Sequence, residues 1–319
     1  MAEVGAKPFA AGQVMKWLSA GVPFADMTNL SKDVRAKLEQ SYSEGYAVIR
    51  EKLTSKDGTV KYLMEMSGGG LIECVVMRYH HGNTLCVSTQ LGCRMGCVFC
   101  ASGKYGLVRN LSAGEMRSQF IAAGESGDIS NVVLMGSGEP LDNYDNVIAF
   151  IKALNTQHEI GMRHISLSTC GLVPHMYKLA NEDMQVTLCI SLHSAIDEKR
   201  RSIMPVANTY TVRQILDAAN NYFQKTGRRI IIEYTLIRGF NDGREDMDAL
   251  ISETRGLNCH INVIPLNVAS DEQSPPSAQQ AHVFADKLNK SGRSATVRRS
   301  LGSDIEGACG QLKLKREKS

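Results

Sequence analysis

A repeat of strand and helix runs from about residue 83 to the end of the chain and limits the folds open to this sequence. The segments predicted as strands are Thr84–Gln90, Asn131–Met135, His164–Thr169, Gln185–Ser191, Arg229–Ile237, His260–Pro265 and Ala295–Arg299. The predicted helices between them are Ser112–Glu125, Asn143–Leu154, Pro174–Asn181, Thr211–Thr226, Glu245–Thr254 and Ser277–Lys290. About six β/α units in a row predict an α/β fold with a parallel sheet, closed as an open or partial (β/α)6 barrel. In such folds the carboxyl ends of the strands and the loops after them carry the chemistry.

The segment ahead of this repeat has a different pattern. Apolar residues recur at helical spacing from Ala11 to Leu18, and Ser31 is a suitable N-cap for a second helix. Strand-like segments then flank Ser55-Lys-Asp-Gly58, which is a hairpin signal. We therefore predict a small helical accessory domain at 1–45, a β extension at 46–82, and a core at 83–319 that ends in a cysteine-bearing loop.

Three cysteines follow the first predicted core strand at the spacing C-x3-C-x2-C. They are Cys93, Cys97 and Cys100 in the run Gly92-Cys-Arg-Met-Gly-Cys-Val-Phe-Cys100. Three thiolates in a short loop are suited to bind three irons of a four-iron cluster and to leave the fourth iron open for another ligand. An open iron is the starting point for reductive cleavage of S-adenosylmethionine. The spacing therefore favours a radical enzyme.

Zinc and disulfides are the alternatives for these cysteines. A closed zinc site needs four ligands, and no second C-x2-C or H-x3-H pair follows downstream. A disulfide framework is disfavoured because the chain has nine cysteines, an odd number, and no secretion signal. Iron–sulfur ligation fits the spacing better than either alternative.

Polar residues stand at the ends of the other predicted strands. The segment Met135-Gly-Ser-Gly-Glu-Pro140 contains Glu139, whose carboxylate could accept hydrogen bonds from an ammonium group. Further polar groups at strand ends are Ser166, Ser168, Ser191, His193, Ser194 and Asn267. Each one alone is more often a cap or turn residue, but together they provide polar groups around one mouth, as in a cofactor site.

Two cysteines outside the loop also attract attention. Cys86 lies on the strand that leads into the loop, and Cys309 lies in Asp304-Ile-Glu-Gly-Ala-Cys-Gly310. A buried cysteine is commonly only a small apolar residue. The glycines and charges around Cys309 indicate an exposed loop, where a thiolate is able to act as a nucleophile.

Charge and hydropathy bound the location and the partners of the chain. The formal net charge of +3 is too small to establish a nucleic-acid partner, although basic residues cluster at Arg228-Arg229, at Arg298-Arg299 and between Lys313 and Lys318. The N-terminus has no apolar stretch of signal-peptide length, and no segment approaches the roughly 18 apolar residues of a membrane span. We expect a cytoplasmic protein without a membrane partner.

These residues closely resemble the RlmN/Cfr family of radical S-adenosylmethionine RNA methyltransferases. The resemblance covers nearly the whole chain from about residue 8, in the family's order. The matching segments are Thr84 through Cys100, Gly138-Glu-Pro140, Leu167-Ser-Thr169, Ser191-Leu-His193, Ile264-Pro-Leu-Asn267 and Asp304 through Leu312.

The resemblance implies a fold, a cofactor and a set of ligands. The fold would be a six-unit partial β/α barrel with an N-terminal accessory domain that helps to hold RNA. Cys93, Cys97 and Cys100 would ligate one [4Fe-4S] cluster. The S-adenosylmethionine site would be formed by Gly138, Glu139, Ser168, Ser191, Leu192, His193 and Asn267.

The resemblance also implies a reaction that uses two molecules of S-adenosylmethionine per turnover. Cys309 would accept a methyl group from the first molecule by nucleophilic displacement. The second, cleaved at the cluster, would give a deoxyadenosyl radical that removes hydrogen from the S-methyl group, and the carbon radical would add to adenine. Glu73 would remove the ring proton, and Cys86 would release methyladenine and leave a disulfide with Cys309. A radical route suits this ring carbon because it is not a nucleophile, and the cofactor carries the hard step.

The substrate implied by the nearest branch is one adenosine of large-subunit ribosomal RNA, methylated at carbon 2, and a transfer-RNA anticodon-loop adenosine is a second implied substrate. The carbon-8 branch is an alternative because it shares the cysteines, and Tyr79–Asn83 is a loose match to either branch. A paralogue with another RNA substrate is a further alternative, because Ala10 and Val268–Ser277 depart from the family pattern. An electron donor such as flavodoxin or ferredoxin and a monomeric state are expected. Two hypotheses from other classes are an iron–sulfur or zinc protein that binds RNA without modifying it, and a radical enzyme acting on a small molecule.

Overall fold

Ten strands form one continuous sheet in the computed structural model, which describes residues 1–267, 275–308 and 310–312. The strands are β1 (Val48–Thr54), β2 (Val60–Glu65), β3 (Leu71–Tyr79), β4 (Gly82–Cys86), β5 (Gln90–Gly92), β6 (Leu107–Asn110), β7 (Ile129–Leu134), β8 (Ile165–Thr169), β9 (Thr187–Ser191), β10 (Ile230–Leu236), β11 (Cys259–Pro265) and β12 (Ala295–Val297). Their order in the sheet is β1-β2-β3-β4-β7-β8-β9-β10-β11-β12, and β5 pairs with β6 in a separate hairpin.

The nine α-helices of the described residues are α1 (Ala10–Ser19), α2 (Lys32–Ser41), α3 (Ala113–Ala123), α4 (Tyr144–Gln157), α5 (Val173–Leu179), α6 (Asp197–Ile203), α7 (Val212–Thr226), α8 (Arg244–Glu253) and α9 (Ala278–Lys290). None of them is long and apolar enough to cross a membrane.

The pairing of the strands changes from antiparallel to parallel at β4. Strands β1 to β4 pair antiparallel, whereas β4 pairs parallel with β7, and every pairing from there to β12 is parallel. The edge strands β1 and β12 are not paired with each other among the described residues, so the sheet is open. The predicted mixed α/β fold with a parallel, incompletely closed sheet is confirmed. The hairpin predicted around Ser55–Gly58 is also present, since β1 and β2 pair directly.

One predicted strand is in fact two. The segment predicted as Thr84–Gln90 leaves the sheet after β4, because the backbone N–H groups of Thr89 and Gln90 both donate to the carbonyl of Ser137, at 2.8 and 3.1 Å. Gln90 then begins the β5–β6 hairpin, whose two strands flank the cysteine loop. The sequence pattern did not predict this hairpin or the short helix α6, because neither has a periodic apolar face long enough to detect.

The N-terminal helices have a small apolar core of their own. It contains Val14 of α1, Leu38 of α2, and Phe24 and Met27 from the segment between the two helices, all of them buried. The predicted cap is confirmed, since the Ser31 hydroxyl accepts a hydrogen bond from Val34 N at 3.3 Å. This unit is joined to the β extension through the Tyr46 hydroxyl, which donates to carbonyl oxygens of the N-terminal unit.

The larger core lies between the sheet and its helices. Strand residues such as Val132, Leu167, Leu188 and Ile232 are fully buried there. Because consecutive side chains of a strand point to opposite faces, their neighbours in sequence face the other side of the sheet. The residues of that other side, near the carboxyl ends of the strands, form the candidate site.

Candidate active site

One cavity at the carboxyl ends of the parallel strands collects most of the predicted site residues. Its wall includes Cys93, Cys97, Cys100, Gly138, Glu139, Ser168, Ser191, His193 and Asn267. Leu192 is not on this wall: its side chain is fully buried in the core, and its backbone N–H donates to the carbonyl of Glu233 at 3.1 Å. Residues more than 170 positions apart in sequence therefore meet at one mouth, as expected for a barrel.

The cysteine loop is fixed at both of its ends. Cys93 N donates to Gly106 O at 3.0 Å across the hairpin, and Cys100 N donates to Cys97 O at 3.1 Å. The hairpin requires glycine at position 92, where φ is +77° and an added Cβ would lie 2.0 Å from the Gly106 carbonyl oxygen. In the middle of the loop, Val98 N donates to Ile203 O at the end of α6. The unpredicted helix α6 thus supports the loop.

The three thiols lie in an environment that suits a bound cation. Burial raises the pKa of Cys93 to about 12 and raises the pKa of Cys97 as well. Such thiols stay protonated unless a positive group is bound, and coordination to iron would supply that charge. No three Cys, His or carboxylate side chains of the described residues converge on one point at the distance of a single metal ion. Three cysteines of one short loop on the wall of one cavity are suited to hold a cluster in which each thiolate binds a different iron.

Glu139 is held rigidly beside the cysteines. Its carboxylate oxygens accept hydrogen bonds from Leu141 N at 3.0 Å and from Cys170 N at 2.8 Å, and its own N–H donates to the Gln90 side chain. Burial raises the pKa of this carboxyl, and the hydrogen bond from Cys170 N opposes that shift. A buried carboxylate at this position is suited to bind an ammonium group.

The glycine before Glu139 allows the backbone to approach the cysteine hairpin closely. Gly138 has φ of +108°, and an added Cβ would lie 2.7 Å from both Gln90 Cβ and Thr89 Oγ1. A larger residue would push this strand end away from the loop. Glycine is therefore suited to this position because it has no side chain to prevent the close packing of the two segments.

The structure adds two residues to the site that the sequence analysis did not place there. Glu233 of β10 accepts a hydrogen bond from the Ser168 hydroxyl at 2.9 Å, and Arg298 after β12 donates to Glu233 at 2.9 Å. Glu233 also lies on the cavity wall. A single charged residue inside the apolar strand Ile-Ile-Ile-Glu-Tyr-Thr-Leu was the available signal. Arg298 was noted only as one member of a basic pair.

Arg200 of α6 is a further buried charge beside the site. Its side chain is fully buried, with Nε donating to Leu192 O at 3.0 Å and Nη2 donating to Cys170 O at 2.6 Å. These bonds connect α6 to the ends of β8 and β9. This role was not predicted, because an arginine in a short charged helix usually faces solvent.

His193 is held as a neutral ring. Its backbone has φ of +58°, its Nδ1 accepts a hydrogen bond from Thr235 N at 3.0 Å, and its ring packs edge-to-face on Phe99. The proton of the neutral imidazole is therefore on Nε2. Burial and the nearby charge of Arg200 lower the pKa of His193 to about 3.

The His193 pKa predicts a dependence of stability on pH. Between the ordinary His pKa of 6.5 and the folded pKa of about 3, the unfolded chain binds more protons than the folded chain. The free energy of unfolding should therefore be unaffected by this group above pH 6.5 and fall below it, by up to about 1.4 kcal/mol per pH unit. Replacing His193→Gln should flatten this part of the slope in anaerobic urea unfolding of the cluster-free chain at pH 7 and pH 5.

The control for this experiment is the exposed His80, because His80→Gln should leave the slope unchanged. Equal slopes for wild type and His193→Gln would show that His193 does not stay neutral in the folded chain.

A second cavity adjoins the first and contains Cys86. Its wall also includes Met135, Asn267, Ala308 and Leu312, of which Met135, Asn267 and Leu312 line the first cavity too. Cys309 lies outside the described residues. Its neighbours on either side are described: Ala308 lines the second cavity and Gly310 the first.

The segment around position 309 is tied to the cysteine loop. Ala101 N donates to Gly310 O at 2.9 Å, and the buried Ser102 hydroxyl donates to Leu312 O at 2.9 Å. No disulfide joins two cysteines within the described part of the chain. The disulfide expected from the resemblance would pair Cys86 with Cys309, which is not among the residues that the structure describes.

Glu73 lies on β3 and outside the wall of either cavity. Its carboxylate is 3.3 Å from Lys61 Nζ, and both side chains are buried. Lys61 Nζ also donates to Glu306 O, so this ion pair lies against the C-terminal loop. Strand alternation places Glu73 on the same face of β3 as Val75, which packs beside Cys86 and Leu312.

The fold and the site together define a radical S-adenosylmethionine enzyme. Residues 87–251 match the family model "Radical SAM superfamily", and residues 1–43 match "Ribosomal RNA large subunit methyltransferase N-terminal domain". A crystal structure of a radical SAM methyltransferase from Sphaerobacter thermophilus superposes with a TM-score of 0.93 at 39% identity, covering 98% of this chain and 94% of that one.

Two curated relatives indicate the family within this superfamily. A probable dual-specificity RNA methyltransferase RlmN from Clostridium perfringens strain 13 is 49% identical over 98% of this chain and 92% of its own length. A protein of the same description from Clostridioides difficile strain 630 is 48% identical over 99% of this chain and 94% of its own length. The chain belongs to the RlmN family of radical S-adenosylmethionine RNA methyltransferases.

Proposed function

We propose that this protein methylates carbon 2 of an adenosine in large-subunit ribosomal RNA through an S-methylcysteine intermediate. The observation that carries the proposal is the joining of two cavities, one lined by the three loop cysteines and the other by Cys86, at the segment that contains residue 309. The ribosomal target is supported by the family model that matches residues 1–43. A second substrate, an adenosine of a transfer-RNA anticodon loop, is supported by the words "dual-specificity" in the names of the relatives.

We assign the cofactors to the first cavity. Cys93, Cys97 and Cys100 would hold one [4Fe-4S] cluster, and Glu139 would bind the ammonium group of S-adenosylmethionine. When bound, S-adenosylmethionine supplies the methyl group and, on one-electron reduction by the cluster, a deoxyadenosyl radical. The remaining contacts to the cofactor would come from Gly138, Ser168, Ser191, His193 and Asn267. The resemblance adds Leu192, which lies between two of these residues in sequence.

The two thiols outside the loop would perform the transfer. Cys309, as a thiolate, would take a methyl group from one molecule of S-adenosylmethionine: a carbon–sulfur bond forms on Cys309, the methyl–sulfonium bond breaks, and S-adenosylhomocysteine leaves. A second molecule would supply the radical, so two are used per turnover. Once the S-bound carbon is attached to the adenine, the adduct must lose its ring proton and one electron, the latter to the electron-carrier protein. Cys86 would then attack the Cys309 sulfur. That step forms a disulfide and breaks the carbon–sulfur bond, and the released carbon takes up a proton to become the methyl group. An external reductant must then restore both thiols.

Glu73 would take the proton from the adenine ring carbon. Its buried ion-pair partner is Lys61, whose Nζ lies 3.3 Å from the carboxylate. Replacing Glu73→Gln should lower the yield of methylated nucleoside by about 10²-fold, because a positioned general base contributes at least that much. Nucleoside mass spectrometry measures the yield. Methylation of Cys309 and formation of deoxyadenosine should persist.

A matched control for this variant is Glu115→Gln. Glu115 is also a buried carboxylate, paired with Arg109 at 2.7 Å, and glutamine can keep its place in the N-terminal cap of α3. An unchanged methylation yield in Glu73→Gln would remove this residue from the proposed mechanism.

The remaining partners follow from the reaction. The helical domain at 1–45, followed by the β extension at 46–82, would help to hold a structured RNA that offers an accessible adenine, since a stacked base cannot reach a buried site. A reduced flavodoxin or ferredoxin would deliver electrons one at a time. A monomer in the cytoplasm, where thiols stay reduced, is the proposed working state.

The test is an anaerobic reaction followed by nucleoside analysis. Protein reconstituted with iron and sulfide is mixed with S-adenosylmethionine, dithionite and unmodified ribosomal RNA, and the digested RNA is compared with nucleoside standards. A 2-methyladenosine peak is the expected result. An 8-methyladenosine peak would assign the carbon-8 reaction instead, and deoxyadenosine without a methylated nucleoside would contradict the RNA substrate.

A further inference from the structure

A buried carboxylate lies directly behind the two serines at the ends of β8 and β9. Glu233 is 3% exposed, and its Oε2 is 2.9 Å from Ser168 Oγ and 3.4 Å from Ser191 Oγ. The two serine oxygens are 3.1 Å apart. All three side chains line the first cavity.

This arrangement determines where the two hydroxyl protons point. A carboxylate only accepts hydrogen bonds, and each serine has one proton to donate. The Ser168 proton is directed to Glu233, and the Ser191 proton is directed to Glu233 or to Ser168 Oγ. In both cases the serine oxygens turn their lone pairs, and not their protons, toward the cavity.

The charge of Glu233 is balanced on the side away from the serines. Its Oε1 accepts a hydrogen bond from Arg298 Nη1 at 2.9 Å. The guanidinium of Arg298 is therefore the ion-pair partner of this buried carboxylate and offsets the cost of burying it. The serines therefore face a fixed acceptor.

We propose that Glu233 is a positioning residue that makes Ser168 and Ser191 a pair of acceptors for the ribose diol of the cofactor. The inference rests on the proposed S-adenosylmethionine site. A vicinal diol carries two neighbouring hydroxyl protons, which match two acceptor oxygens 3.1 Å apart. Glu139, on the cysteine side of the cavity, already offers an acceptor for the ammonium group.

The test compares binding of S-adenosylmethionine with binding of its 2′-deoxy and 3′-deoxy analogues. Calorimetry on the cluster-reconstituted, unreduced protein gives a Kd for each ligand without turnover. The wild type should bind the parent about 5–10-fold more tightly than either analogue, the usual effect of one hydrogen bond. In Glu233→Gln, the glutamine amide can donate to the serines, so S-adenosylmethionine should bind about tenfold more weakly. The ratio of the Kd of each deoxy analogue to that of S-adenosylmethionine should approach one.

Asp246→Asn is the matched control. Asp246 is also a buried carboxylate in a salt bridge, 2.7 Å from Lys199, but it lies on α8 and away from the cavity wall. In Asp246→Asn, the ratio of the Kd of each deoxy analogue to that of S-adenosylmethionine should equal the wild-type ratio. A general effect of losing a buried ion pair would appear in both variants, whereas the proposed effect appears only in Glu233→Gln.

Two results would overturn the inference, and they are distinguishable. If the wild type discriminates against the deoxy analogues and Glu233→Gln discriminates equally, Glu233 does not orient the serines, and the proposed function stands. If the wild type does not bind S-adenosylmethionine, the proposed cofactor site is wrong, and the inference fails with it.

A second variant tests the same claim if Glu233→Gln does not hold a cluster. Ser191→Ala removes one acceptor and leaves the ion pair between Glu233 and Arg298 in place. It should lose discrimination against one of the two deoxy analogues. Full discrimination against both analogues in Ser191→Ala would contradict the proposal.

Discussion

Replacing Cys100→Ala should abolish both the iron–sulfur cluster and the methylation of RNA. The backbone turn of the loop should survive, because Cys100 contributes its N–H to that turn and alanine keeps the N–H. Only one of the three proposed thiolate ligands is removed, but the remaining two would not hold a four-iron cluster with one open iron. Reconstituted protein should lose its brown colour and its iron. The methylation rate should fall to background, by at least about 10⁶-fold, the low end of enzymatic rate enhancements.

Cys170→Ala is a demanding control for this prediction. Cys170 is buried and packs in one apolar cluster with Cys97. Its backbone N–H donates to Glu139 and its carbonyl accepts from Arg200, and alanine retains both bonds. Only the hydrogen bond between the Cys170 thiol and the Glu139 carboxylate is lost. This variant should keep its iron and its colour. A full iron content in Cys100→Ala, or a loss of iron in Cys170→Ala equal to that expected for Cys100→Ala, would show that the ligand set is different.

The features that sequence reasoning predicted well are those with a local signal. The alternation of apolar strands and helices predicted the parallel sheet, and the closely spaced cysteines predicted one loop at the end of a strand. Glu139, Ser168 and Ser191 do line one cavity, because parallel strands in a sheet share a carboxyl edge. Ser166 and Ser194, which were expected around the same mouth, are not on its wall.

The features that were missed depend on tertiary contacts. Glu233 and Arg298 are 65 residues apart, and nothing in either segment reveals that they pair. The charged composition of α6 predicts that Arg200 faces solvent. Arg200 is buried only because this short helix packs against the strand ends. The Lys61–Glu73 pair depends on the register of β2 against β3, which a hairpin signal alone does not specify.

Sequence reasoning also failed where the chain leaves a regular element without a break in composition. Residues from Val87 to Gln90 continue the apolar and β-branched pattern of β4, yet Thr89 and Gln90 bond to Ser137 in place of a strand neighbour. The departure is caused by the close approach of the segment around Gly136, where an added Cβ would lie 2.7 Å from Ser88 N. A single sequence carries no record of that approach.

Replacing Cys86→Ala should stop the reaction at a covalent protein–RNA adduct. Cys86 is the last residue of β4 and pairs with Val75 and Val133 through its backbone, so alanine should leave the sheet intact. Its side chain lines the second cavity together with Ala308. Without this thiol the bond between the Cys309 sulfur and the new carbon cannot be broken by thiol attack. Protein–RNA species should accumulate to nearly one per active protein, visible on a denaturing gel and by mass spectrometry of the peptide containing position 309.

Two variants make this result specific to the proposed pair of thiols. The double variant Cys86→Ala, Cys309→Ala should form no adduct, because the methyl acceptor is gone. Cys74→Ala should form product normally: it lies on the neighbouring strand β3, but its side chain faces the apolar core, 3.8 Å from the Met64 sulfur. An adduct in the double variant would place the RNA linkage on a residue other than Cys309. An inactive Cys86→Ala protein that accumulates no adduct, while Cys309 still becomes methylated, would show that Cys86 acts before the carbon–carbon bond forms and is not the resolving thiol.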